Sequence, residues 1–315
     1  MKKRIDKSGI VSDKIWKIFD IPIFGGSSDE VLKILKRSIF MGHEDGSIKF
    51  VATINPEFVI ASIKDKNFKK ILKKKTDLNV CDGIGLVWAK QLQIFNFKFL
   101  IFKPFIFLWR LLVGFWVGVS ILMGKYSDRI VAGSSLMKDI CILAAKKKWK
   151  VFFLGGWGDG AEKTGTNFQF SIFNHRHSGT SFQFESCEGR PKFSDDEVLE
   201  KIKESKAKVL FVAYGMKKQE EWIDKNLKNL EKAGVRLVMG VGRSMDYYSG
   251  DLKRAPKVMR KTGLEWLYSL YKEPKRWKRQ LALPKFIWKV LNYELIQKIT
   301  NNTNHKLQKI NKNLE

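Results

Sequence analysis

Short runs that are apolar at nearly every position alternate along this chain with longer stretches in which apolar residues return every three or four positions. IKFVATI (48–54), LNVC (78–81), KVFFLGG (150–156), TSFQFE (180–185), VLFVAY (209–214) and VRLVMGV (235–241) are of the first kind and predict strands. Several lack a polar alternation, as expected of strands covered on both faces. SSDEVLKILKRSIF (27–40), PEFVIASIKD (56–65), GIGLVWAKQL (83–92), SLMKDICILAAKKK (135–148), DDEVLEKIKESK (195–206) and KKQEEWIDKNLKNL (217–230) are of the second kind and predict helices. Several open on Ser, Asp or Pro, residues that suit a helix start. Alternating β and α elements from about residue 17 to 260 predict an α/β core, a parallel sheet with helices on both faces. Ligands of such sheets bind at the carboxyl ends of the strands.

Two segments depart from this alternation. Residues 99–123, FLIFKPFIFLWRLLVGFWVGVSILM, hold 19 apolar or aromatic residues in 25, with Lys103 and Arg110 the only charges. A buried core helix is one reading. Contact with a membrane is favoured by the Trp and Phe content, the flanking Lys98 and Lys125, and the lack of acidic residues. A single crossing would separate motifs that must share one site, so a re-entrant or in-plane element is expected, with Pro104 and Gly114/Gly118 as candidate breakpoints. The second departure is the stretch from about 257 to the end, where EWLYSLYKEPKRWKRQ and FIWKVLNYELIQKI interleave basic and aromatic residues in helical patterns. The chain thus divides into a basic tail (1–16), a core (17–260) carrying the apolar insert, and a basic aromatic appendage (261–315), which is read as facing a membrane or an anionic ligand rather than only solvent.

Composition sharpens this picture. The 315 residues carry 59 Lys+Arg against 32 Asp+Glu, a net charge of +27, and residues 251–315 alone hold 16 Lys/Arg against 5 Asp/Glu. Something acidic should meet that tail: nucleic acid, anionic lipid or a diphosphate substrate. With 44% apolar residues the chain can build a core, which excludes a disordered protein. The cysteines Cys81, Cys141 and Cys187 are scattered and odd in number, which argues against a disulfide framework and for a reducing, cytosolic compartment. The basic N-terminus is followed by no long apolar stretch, so a cleaved signal peptide is not expected.

Candidate chemistry gathers where strands end. VATINPEF puts Thr53 and Asn55 at a strand's carboxyl end, to bind a ligand there or to cap the helix that begins near Pro56. NVCDGIGLVWA puts Asp82 at the next such end, as a helix-start carboxylate or as a base toward a bound hydroxyl. FLGGWGDGAEK, with Gly155 and Gly156, is a Gly-rich loop before a helix that could offer N–H groups to phosphate or simply turn the chain. AYGMKKQEEW places Gln219 and Glu220 inside a helix start, and GVGRSMDYYSGDLKRAP crowds glycines, polar residues and the Lys253/Arg254 pair at a strand end, as a functional loop does. No metal site is expected. His175 and His177 have no further ligand at metal spacing, no D-x-D occurs, and Asp195-Asp196-Glu197 reads as a helix start.

Taken in order, VATINPEF, CDGIGLVWA, DRIVAGSSLM, VFFLGG, KKQEEWI, GVGRSMDYYSGDLKRAP and GLEWLYSLYKEPKRWKRQ resemble the WecG/TagA/CpsF glycosyltransferase family over roughly residues 20–280. The resemblance implies a Rossmann-like core and an inverting, metal-independent transfer that needs no cofactor. The donor would be a UDP-sugar, of N-acetylmannosamine, its uronic acid or glucose. The acceptor would be a sugar linked to polyprenyl diphosphate, for cell-surface polysaccharide synthesis at the cytoplasmic face of the membrane. It further implies Asp82 as general base, and Thr53 and Asn55 as sugar-binding residues. Arg129 and Gln219 would line the pocket, and Arg276 and Arg279 would neutralise the diphosphate. Gly155, Gly156, Gly242 and Asp246 would lie on the nucleotide side. Partners are then the donor, the lipid-linked acceptor and the membrane surface, with no nucleic acid; a homo-oligomer is left open.

The sequence departs from the family pattern in places. Ser135 stands where many members have Asp, Ser269 where many have Arg, and Met216-Lys217 replace a frequent small residue-Pro pair. A non-catalytic membrane-surface relative is therefore an alternative, as is a dinucleotide-dependent oxidoreductase on a similar sheet, against which the missing G-x-G-x-x-G counts.

Overall fold

The computed structural model describes residues 14–40, 47–94, 103–174 and 181–293. In it the apolar runs become strands: β3 (Lys49–Ile54), β4 (Leu78–Cys81), β5 (Val151–Gly155), β6 (Phe184–Cys187), β7 (Val209–Ala213) and β8 (Leu237–Gly240). Ahead of them lie β1 (Ile15–Ile18) and β2 (Ile21–Phe24), which the hydrophobic pattern did not predict. The eight strands form one sheet in the order β1-β2-β4-β3-β8-β7-β5-β6. Only the β1–β2 pair is antiparallel; all other pairings are parallel. The expected α/β architecture with a mostly parallel sheet is what the chain adopts.

The helices are α1 (Ser28–Leu35), α2 (Pro56–Lys64), α3 (Lys66–Lys74), α4 (Ile84–Ile94), α5 (Lys103–Leu122), α6 (Gly133–Lys146), α7 (Gly160–Asn174), α8 (Asp195–Ser205), α9 (Lys218–Lys232) and α10 (Ser244–Ser249). The appendage adds α11 (Lys257–Lys261), α12 (Glu265–Lys272), α13 (Trp277–Gln280) and α14 (Ala282–Leu291). Strand side chains alternate between two apolar layers: Val151 and Phe153 enter one, with Leu136, Ile140 and Phe168, while Phe152 and Leu154 enter the other, with Val198, Leu210 and Val238. Both faces are covered, which is why the runs show no polar alternation.

Some elements differ from expectation. The strand read at 180–185 sits at Phe184–Cys187, because this edge strand takes its register from β5, with Val151 opposite Phe184 and Leu154 opposite Cys187. Helix α3 escaped the pattern reading, since five lysines hide its apolar stripe of Phe68, Ile71 and Leu72. The apolar insert is not broken at Pro104 or at Gly114/Gly118: α5 runs unbroken from Lys103 to Leu122. Pro104 lies in its first turn, where no intrahelical N–H is needed. Among the described residues no helix is long and apolar enough to cross a membrane. The start of the insert, at 99–102, lies outside the described residues, as do His175, His177 and the last residues of the appendage.

The appendage is seated on the core. α14 lies against α2, and Phe286 is fully buried in a cluster with Ile54, Phe58 and Val59. Burying a Phe side chain contributes about 1.5–3 kcal/mol. α12 and α13 are thereby held over the carboxyl ends of the strands.

Candidate active site

The sheet's carboxyl edge opens into a cleft of about 1430 Å³, lined by Thr53 and Asn55 after β3, Asp82 and Gly83 after β4, Gly156 after β5, Glu188 to Arg190 after β6, Tyr214 and Gly215 after β7, and Gly242 after β8. The strand order reverses between β3 and β8, with β4 on one side and β7 on the other. A crevice at such a reversal is where open α/β sheets bind ligands. The appendage forms the opposite wall with Glu265, Trp266, Ser269, Glu273 and Arg279.

Asp82 sits at the centre. Its backbone N–H donates to Ile54 O at 2.8 Å, and Val131 N–H donates to Cys81 O at 2.8 Å, so the α6 entry is laid alongside the end of β4. The backbone N–H of Gly133, the first residue of α6, lies near the Asp82 carboxylate and favours its charged form. That helix start has no side-chain cap, leaving its N–H groups for an anion. A side chain at Gly133 would bring a Cβ to 3.1 Å from Thr53 Cγ2 and 3.4 Å from Asp82 Oδ2. Glycine lets the helix approach this closely without its neighbours giving way by a few tenths of an ångström. Burial, and then the charge of Glu265, push the Asp82 carboxyl up to about 7, against the opposing pull of the Gly133 N–H and Arg254. A carboxyl poised near neutrality can take a proton and return it.

Cations share the cleft with this group. Arg243, Arg254, Arg260 and Arg279 all line the cleft. Arg243 pairs with Glu273, Arg254 Nε lies 3.7 Å from Glu265 Oε1, and Arg279 Nη2 donates to Glu57 Oε2 at 2.8 Å. Three ion pairs thus tie the appendage across the cleft. Arg254 Nη1 also donates to Ser135 Oγ at 3.3 Å, at the position where the family pattern often has Asp. A hydroxyl there leaves the Arg254 charge uncompensated from that side.

The residues expected from sequence distribute unevenly. Thr53, Asn55, Asp82, Gly156, Gln219, Gly242, Asp246 and Arg279 line the cleft. Asn55 caps α2, its Oδ1 accepting from Glu57 N at 2.9 Å and Phe58 N at 3.2 Å, so only its amide nitrogen is left for a ligand. Gln219 is similarly engaged: Oε1 accepts from Gly242 N at 3.1 Å, and Nε2 donates at 2.7 Å to the fully buried Glu220. It holds the turn after β8 in place. Burial pushes Glu220 up to about 7. Gly155 lies below the cleft rather than in its lining, at φ +88°, where a Cβ would meet Ala213 backbone at 3.1 Å. Arg129 is not among the lining residues either; its guanidinium lies over the Tyr126 ring, 5.3 Å from the centroid. The side chain of Arg276 lies outside the described residues.

Sequence reasoning passed over Arg243, Arg260 and Glu265. Arg243 and Arg254 both belong to the GVGRSMDYYSGDLKRAP run, whose crowding of polar residues was the available signal. Among the described residues no group of three His, Cys, Asp or Glu could hold a metal ion.

The model of the glycosyl transferase WecG/TagA/CpsF family matches residues 16–100 and 114–300. The chain belongs to this family. Relatives include N-acetylglucosaminyldiphosphoundecaprenol N-acetyl-beta-D-mannosaminyltransferases of Bacillus subtilis (strain 168), 27% identical over 88% of this chain and 91% of the relative, and of Bacillus spizizenii, 29% identical over 78% and 79%. A protein of the same name from Staphylococcus aureus (strain MW2) is 27% identical over 80% and 83%. As a WecG/TagA/CpsF glycosyltransferase, the chain has the family's match interrupted at 101–113, inside the apolar insert.

Proposed function

We propose that the protein transfers a sugar of the N-acetylmannosamine type from a UDP-sugar to a hydroxyl of an N-acetylglucosamine linked through diphosphate to a polyprenyl lipid, with inversion and without a metal. One observation carries the reading: a half-buried carboxyl poised near pH 7, Asp82, shares with Arg243, Arg254, Arg260 and Arg279 one cleft at the sheet's switch point. In the proposed step Asp82 accepts the proton of the acceptor hydroxyl as its oxygen bonds to the anomeric carbon. The bond from that carbon to the β-phosphate oxygen breaks, and UDP leaves with the electron pair. A single displacement of this kind inverts the anomeric centre. A positioned base contributes about 10²- to 10⁴-fold.

Arg243, Arg254 and Arg260 are the groups suited to the departing diphosphate, since a guanidinium stays charged and donates bidentate hydrogen bonds. Arginines meeting that charge are the basis for proposing metal independence. The relatives' lipid-linked acceptor supports a place at the membrane, on its cytoplasmic face. Thr53 and the Asn55 amide are proposed to hold the sugars beside Asp82, and Gly156, Gly242 and Asp246 the nucleotide side.

The test is UDP release from a panel of UDP-sugars, with and without an N-acetylglucosaminyl-diphosphoryl-lipid in detergent. Acceptor-dependent release from one donor, lost in Asp82→Asn, is the expected result. Full turnover by an Asp82→Asn protein would refute the assignment of the base.

A further inference from the structure

Helix α5 carries two apolar faces. One packs inward: Val117 and Ile121 are buried, and the buried Arg110 turns toward the core, its Nη1 donating to Leu291 O of α14 at 2.9 Å. The other is a stripe of Leu108, Leu112, Phe115, Trp116 and Leu122, spaced at helical intervals and open to solvent, with Phe115 73% and Trp116 71% exposed. At a rise of about 1.5 Å per residue this stripe is roughly 20 Å long. Since Arg110 is the only charge between residues 104 and 122 and points inward, the outward face is free of charge.

We propose that this face lies in the interfacial plane of an anionic phospholipid bilayer. Three observations select lipid over a second copy of the chain. Trp116 in the stripe and Trp109 beside it are exposed, and tryptophans gather at the headgroup level. The stripe's rim is basic: Lys125 and Lys285 are exposed, and Trp288, 61% exposed on α14, continues the surface 6.1 Å from Phe107. A second copy would set that basic rim against its own like, in a chain of net charge +27, whereas anionic headgroups complement it. No helix among the described residues can cross, so the helix lies flat with its stripe immersed by about 5–10 Å.

The family match leaves out residues 101–113 and resumes at 114, so the Leu108 and Leu112 part of the stripe lies outside it and Phe115, Trp116 and Leu122 lie within it. The attachment also fixes the cleft relative to the lipid. Trp88 Nε1 on α4 donates to Gly114 O at 2.8 Å, and α4 starts immediately beyond the Asp82–Gly83 turn. The surface goes beyond the reaction proposed above, and vesicle binding needs neither donor nor acceptor, so the two readings fail separately.

The experiment is co-sedimentation of the full chain with vesicles of phosphatidylglycerol and phosphatidylcholine, against phosphatidylcholine alone. The unmodified protein should bind the anionic vesicles, with its tryptophan fluorescence quenched by brominated lipid. Phe115→Glu/Trp116→Glu should weaken binding at least 10-fold with an unchanged urea midpoint, while Phe170→Glu, which alters an exposed aromatic on α7, should bind as the unmodified chain does. Undiminished binding by the double variant would overturn the proposal. So would a protein that binds no vesicle and sediments as a dimer that the double variant separates.

Discussion

Glu265 of the appendage and Asp82 of the sheet line opposite walls of one cleft, and the negative charge of the first helps hold the proton on the second. In the proposed transfer the appendage therefore takes part in the acid–base step as well as forming a wall. Since a base must be ionised to accept a proton, kcat/KM should rise with pH to a plateau through an apparent pKa near 7. Glu265→Gln removes a charge that raises the Asp82 pKa and releases Arg254, which lowers it; both effects act in the same direction. The rising limb should move to lower pH in that variant, and a pH–rate profile with saturating acceptor reads it. A limb that stays in place or moves upward would show that Asp82 is not the titrating group.

Glu273 occupies Arg243 in the way a phosphate oxygen would. An anionic ligand must displace this internal carboxylate or share the guanidinium with it. Glu273→Gln should therefore tighten UDP binding several-fold in calorimetry, since hydrogen bonds to charged groups contribute about 1.5–3 kcal/mol. Arg243→Ala should weaken it by at least 10-fold. Equal affinity in both variants would place the diphosphate elsewhere in the cleft.

Gly133 sets how closely α6 approaches Asp82. A methyl group there would sit 3.1 Å from Thr53 Cγ2 and 3.4 Å from the Asp82 carboxylate, so either the helix start or the two side chains must give way. They need give by only a few tenths of an ångström, less than the roughly 1 Å displacement that costs on the order of 10²-fold at a reacting centre. Gly133→Ala should lower kcat by less than that factor, about 10-fold, while UDP affinity, which depends on the arginines, changes little. A steady-state kinetic comparison alongside UDP titration separates the two.

The parallel sheet was legible because its strands are buried on both faces and their runs are apolar throughout. The β1–β2 hairpin was not, since Phe19 and Asp20 make its turn at φ +48° and +69° without the Asn-Gly or Asp-Gly pair that ordinarily marks such turns. Asp82 could be read from sequence as a carboxylate at a strand end, but its partner Glu265 is 183 positions away in the chain, and no local pattern joins them. The same holds for Arg254 and Ser135, which meet only through folding. Arg129 illustrates a related point: a motif fixes a residue's place in the chain, while contacts such as the cation–π contact with Tyr126 set where its side chain lies.

Asp82 should also be visible in stability. Its carboxyl titrates near 7 in the folded protein against an ordinary value of 3.8. Below the ordinary value both folded and unfolded chains hold the proton, and the group adds no pH dependence. Between the two values the folded chain keeps a proton that the unfolded chain has released, so stability falls as pH rises. Above the folded value the loss is complete, on the order of 4 kcal/mol for a shift of about three pH units. Asparagine, which has no charge to desolvate, carries no such penalty. Asp82→Asn should thus gain stability over the unmodified protein as pH is raised from about 4.5 to 8.5, with the largest gain above 7. Urea unfolding of both proteins across that range measures it. A difference between them that does not change with pH would mean that the Asp82 carboxyl is not held in its protonated form.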